Sequence, residues 1–118
     1  MDINGRFNHI EDVLVRLHFN AGGWWGWTDV RNKIYANLII HDSDYDKPTE
    51  KSLTDALEKA QSDFDAQDYA RNREREYPSN GDQWDMIYKD NKNSTTTHKD
   101  AVEAVKTKWP KDNSGPVE

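Results

Sequence analysis

Three tryptophans fall within four residues, Trp24-Trp25-Gly26-Trp27. Large aromatic side chains fit the pleated, half-buried surface of a strand. A second run of strand-favouring residues, Ile34-Tyr35-Ala36-Asn37-Leu38-Ile39-Ile40, follows at hairpin distance. The pattern predicts a β-hairpin over residues 24–41, turning through Asp29 to Lys33. In its second strand Ile34, Ala36, Leu38 and Ile40 share one face and Tyr35, Asn37 and Ile39 the other. Only the first face is cleanly apolar, so the other is expected to meet solvent. The rest of the chain offers little to compete with this segment as a core. Hydrophobic residues make up 34% of the 118 and charged residues 32%, against a usual apolar share of nearly half. A chain of this length is expected to form one domain with a modest core, with part of it extended or packed against another chain.

Around the hairpin the apolar residues recur at helical intervals. Ile3, Phe7, Ile10, Leu14 and Leu17 are three or four apart and predict a first helix over residues 3–19, capped by Asp2 and ended by Asn20-Ala21-Gly22-Gly23. Pro48-Thr49-Glu50 opens a second, longer helix, with Thr49 as cap and Glu50 placed favourably for the helix dipole. Its stripe is Leu53, Ala56, Leu57, Ala60 and Phe64, and the helical pattern extends to about Glu76, where Pro78 stops it, as one rod or as two segments. A short helix over Asp82–Asp90, capped by Asp82 after a turn at Ser79-Asn80-Gly81, carries Trp84, Ile87 and Tyr88 on one face. A last helix over 98–109 carries Val102, Val105 and Trp109. The expected organisation is residues 1–76 with helix, hairpin and long helix, residues 77–110 as a helical hairpin, and a loose tail over 111–118, together one structural unit. The fold class is α+β, mostly helical.

Charge and residue usage remove several classes of function. The net charge is −6, and Lys and Arg are dispersed, so a phosphate backbone is not the expected partner. There is no cysteine, which removes disulfides, thiolate metal sites and thiol catalysis. No leader or membrane-spanning stretch is visible, and a soluble protein made in a cytoplasm is expected. Asp42, Asp44 and Asp46 alternate as at the start of a calcium loop, but Lys47 and Leu53 stand where that loop needs Gly and Glu. His9, His18, His41 and His98 lack a ligand spacing and read as surface histidines. Arg71, Arg73 and Arg75 alternate with Asn72, Glu74 and Glu76 and read as a solvated face. No phosphate loop, nucleophile elbow or metalloprotease helix is present, so no catalytic, cofactor or metal residue is assigned. Trp24, Trp25, Trp27 and Tyr35 could stack on the apolar faces of sugar rings. A mixture of core packing and protein interface is the preferred reading for them.

One stretch resembles a known pattern. Arg73, Tyr77-Pro78, then Asp82-Gln83-Trp84-Asp85, Ile87 and Tyr88 look like a motif of small proteins from tailed bacteriophages, often marine ones. Lys47-Pro48-Thr49-Glu50 upstream and Lys106-Thr107-Lys108-Trp109-Pro110 downstream fit the same family. Trp84 stands where those proteins usually have Leu, and Trp109 where they usually have Tyr. The resemblance implies a non-enzymatic virion protein associated with tail, tail-fibre or baseplate. Its partners would be other phage structural proteins or further copies of itself. The alternatives are a fibre-assembly chaperone absent from the finished virion and a modulator of a host protein. The resemblance carries no catalytic residues. Read physically, the motif is a helical hairpin in which Gly81 makes the turn and Trp84 and Tyr88 pack back on the preceding helix. The residues singled out for packing or interface are Trp24, Trp25, Trp27, Tyr77, Trp84, Tyr88 and Trp109.

Overall fold

A computed structural model describes residues 1–118. The chain divides into two compact units, Met1–Asp63 and Phe64–Glu118, and the division falls inside the last turns of the longest helix. Pro78 ends a helix further on.

In the first unit, helix α1 spans Ile10–Arg16, shorter than its apolar spacing predicts. Residues 3–5 form a turn instead, and no helix forms before Ile10. The Asp2 carboxylate accepts from the backbone N–H groups of Asn4 (2.8 Å) and Arg6 (3.0 Å), and Gly5 takes a φ of +87°. A side chain that bonds its own downstream backbone competes with the helix it was expected to cap. His9 starts the helix: its Nδ1 accepts from Glu11 N–H, and the Asp12 carboxylate accepts from His9 N–H, a reciprocal cap. Leu17 closes α1 with extended backbone, and His18 follows with φ +49°.

Strands β1 (Trp25–Trp27) and β2 (Leu38–Ile40) pair antiparallel, with Trp25 opposite Ile40, Gly26 opposite Ile39 and Trp27 opposite Leu38. The hairpin is real but its second strand is half the expected length. Tyr35–Asn37 form a single 3-10 turn closed by Asn37 N–H on Ile34 O at 2.9 Å, and the Tyr35 hydroxyl donates to Pro48 O at 2.7 Å. Helix α2 spans Glu50–Ala66, and Thr49 Oγ1 caps it by accepting from Ser52 N–H at 3.0 Å. Val13, Leu14, Trp24, Leu38 and Leu53 are buried together, with Phe7, Ile10, Leu17, Trp25, Trp27, Ile40 and Leu57 packed around them. Of the expected α2 stripe, Ala56 lies in solvent.

In the second unit, α3 (Asp68–Glu76), α4 (Asn80–Asn93) and α5 (Thr97–Lys108) follow in order. Of the two readings of the long helix, one rod or two segments, the second holds: the helix breaks at Gln67, whose φ of −94° and ψ of 10° leave the helical well. Asn113 fills the gap. Its Oδ1 accepts from Tyr69 N–H (2.9 Å), and its Nδ2 faces the Asp65 and Ala66 carbonyls at 3.4 Å. One side chain thus serves both an orphan donor at the start of α3 and orphan acceptors at the end of α2. The terminal residues have no regular secondary structure, but they are fastened here and again where Val117 N–H bonds Lys108 O at 2.8 Å.

Helix α4 begins two residues earlier than predicted. Ser79 is its cap, accepting from Asp82 N–H at 3.1 Å, and Gly81 is a helical residue of the first turn. The turn to α5 is closed by Asp90. Its carboxylate accepts from Thr95 Oγ1 (2.6 Å), Thr97 N–H (2.9 Å) and His98 N–H (2.8 Å). These bonds hold the carboxyl at a pKa of about 2, the Thr95 hydroxyl contributing most. Val105 is the one hydrophobic residue of this unit that is buried.

Candidate functional site

The residues of the Arg73–Tyr88 motif act first as fasteners. Arg73 Nε donates to Trp109 O at 2.8 Å and Nη2 to Lys106 O at 3.4 Å, so the guanidinium caps the C-terminal carbonyls of α5. Gln83 Nε2 donates to Pro78 O (2.8 Å), while Gln83 Oε1 accepts from His98 Nε2 (3.0 Å). The arginine run is therefore not a uniformly solvated face. Arg71 stacks over the Phe64 ring at 3.6 Å and Arg73 lies over Tyr69 at 5.0 Å, leaving Arg75 exposed. Lys108 pairs with Glu76 at 2.8 Å and holds that carboxyl below its ordinary range.

The tryptophan cluster is a packing device. Trp24 is only 2% exposed, and its ring meets Tyr45 at 5.5 Å and, edge-on, His18 at 5.0 Å. Trp25 and Trp27 are half-buried against the same core and stand edge-to-face, 5.8 Å apart at 83°. None of the three projects freely into solvent. Two rings at right angles do not form a flat surface for a sugar face. Trp27 Nε1 is buried without an acceptor. Tyr35 is half-buried with Lys47 over its ring at 4.6 Å. Tyr77 and Trp109 are half-buried at the ends of α3 and α5.

Trp84 and Tyr88 behave differently. The helical period turns Gln83, Met86 and Asp90 toward α5, the side on which Gln83 and Asp90 make their bonds. Trp84 and Tyr88, four residues apart, are left on the opposite side. They are 72% and 65% exposed, and Ile87 between the two faces is 37% exposed. The expectation that this pair packs back on the preceding helix is overturned: the half-buried edge of α4 is Gln83-Met86-Asp90. Asp85 and Lys89 pair beside the aromatic rings at 2.9 Å, which raises the Lys89 pKa.

No cluster of three or more His, Cys, Asp or Glu is arranged to hold a metal ion. Asp42 instead accepts from Asp44 N–H at 3.0 Å in a local turn. A shallow pocket of about 310 Å³ beside α1 is lined by His18, Phe19, Asn20, Ala21 and Tyr45. No helix is long and apolar enough to cross a membrane.

Fold and surface together define a small, mostly helical α+β protein with an aromatic helix face open to solvent. No family model, curated protein or solved structure matches the chain.

Proposed function

We propose that this chain is a virion-associated protein of a tailed bacteriophage, in the tail, tail fibre or baseplate, and that it acts by protein–protein contact. The observation that carries the reading is the pair Trp84 and Tyr88, large aromatic side chains held in solvent by a helix whose other side is fastened. Aromatic residues are enriched at the centres of protein interfaces, where their burial contributes most of the binding energy. Six buried hydrophobic residues are a small core for 118 residues, which suits a subunit that gains burial on assembly. The motif from Arg73 to Tyr88 supplies the phage assignment by its resemblance to small tailed-phage proteins.

Mass spectrometry of purified virions tests the reading. Peptides of this chain at a copy number matching a tail, fibre or baseplate symmetry are expected. Their absence from virions, with abundance in infected cells, would replace it by the fibre-assembly chaperone or the host modulator.

A further inference from the structure

We propose that the open face of α4 pairs antiparallel with the same face of a second copy of this chain. This is a statement about the purified protein and holds or fails independently of whether the chain enters a virion.

The charge order along α4 selects the partner. By the helical period exposed Asp85 and Lys92, seven residues apart, share one flank of the Trp84–Tyr88 face, while Asp82 and Lys89 lie further round the helix. A second α4 running the opposite way about a two-fold axis beside Tyr88 therefore sets each Asp85 at the level of the other copy's Lys92. A parallel copy would oppose like charges, and the same surface is self-complementary only in the first orientation. Antiparallel helix dipoles add in the same sense.

The aromatic residues fit that symmetry. Tyr88 then lies at the axis and Trp84 about one turn before it. Along the seam the two Tyr88 rings meet side by side, with one Trp84 about 6 Å along the axis on either side, given the helical rise per residue. Gly81, one turn before Trp84 and Asp85, has open space around its Cα, so nothing blocks the approach of the second helix at the edge of the seam. The α5 side of each copy, carrying Gln83 and Asp90, stays clear of the contact.

Sedimentation of the full chain over a concentration series tests this. The average mass should climb from monomer toward dimer, and Trp84→Ala should raise the dissociation constant at least about tenfold, as loss of a central aromatic does. Circular dichroism should be unchanged, since the residue is exposed. Charge variants make the test specific. Asp85→Lys should be monomeric alone, and so should Lys92→Glu. An equimolar mixture of the two should associate, and a single chain carrying Asp85→Lys and Lys92→Asp should self-associate again. A chain that stays monomeric throughout, or a dimer whose constant ignores Trp84→Ala and the charge variants, overturns the proposal.

Discussion

Gly26 sits in β1 where a Cβ would overlap the imidazole of His41. The glycine is thus required by a neighbour fifteen residues away and not by its own backbone dihedrals. His41 is exposed and its ring can swing aside, so Gly26→Ala should cost about 1 kcal/mol, the low end for overpacking. The double variant Gly26→Ala/His41→Ala should recover most of it in chemical denaturation, a coupling that a pure strand-propensity effect would lack. Asn113 is the opposite case, a residue whose side chain makes every contact that matters. It holds φ +62°, a conformation asparagine tolerates, while bridging the α2–α3 break. Asn113→Gly keeps the backbone at ease and removes the bridge. It should lower stability by about 1–2 kcal/mol, as loss of a helix cap does. Asn113→Asp retains an acceptor for Tyr69 N–H but loses the donor, and should fall between.

Helix ends show where sequence and fold agree and why they part. The α3 stop at Tyr77-Pro78 and the Thr49 cap of α2 were legible because both signals are local. The extent of α1 was not, since Ile3 and Phe7 carry the right period while Asp2 spends its carboxylate on a tight turn. The break at Gln67 was equally hidden, because the residue that stabilises it lies more than forty positions later. The exposed side of α4 was misjudged for a related reason. Trp84, Ile87 and Tyr88 are its most apolar residues, yet the polar residues Gln83 and Asp90 have hydrogen-bonding partners on α5 and fix the helix rotation. At this scale Asp90 gives a pH prediction. Its folded pKa of about 2 lies below the usual carboxylate value, so its stabilising effect is present above about pH 4 and is lost as pH falls through about 2. Wild type should melt higher than Asp90→Asn at neutral pH, with the gap closing between pH 4 and 2. A gap that persisted at pH 2 would mean that the neutral side chain caps α5 as well as the carboxylate does.

Across the whole molecule, burial is uneven. The first unit gathers Val13, Leu14, Trp24, Leu38 and Leu53 into one cluster, whereas the second buries Val105 alone and depends on polar fasteners: Arg73 on the α5 carbonyls, Gln83 on Pro78 and His98, Asp90 on Thr95, Thr97 and His98. Surface hydrogen bonds and ion pairs are each worth about 1 kcal/mol or less in water, while emptying a filled apolar site costs several times that. Leu14, fully buried, should cost about 3 kcal/mol as Leu14→Ala. The two halves should therefore differ in amide hydrogen exchange at low protein concentration. Slow exchange is expected at Val13, Leu14, Leu38 and Leu53, and faster exchange through α4 and α5, whose opening exposes little apolar surface. Raising the concentration should slow exchange in α4 selectively if a second copy covers Trp84 and Tyr88, while the Leu14 cluster keeps its rate. Uniform protection at every concentration would mean that the polar fasteners alone make the second unit as rigid as the first, and that the exposed aromatic residues gain nothing from a second copy.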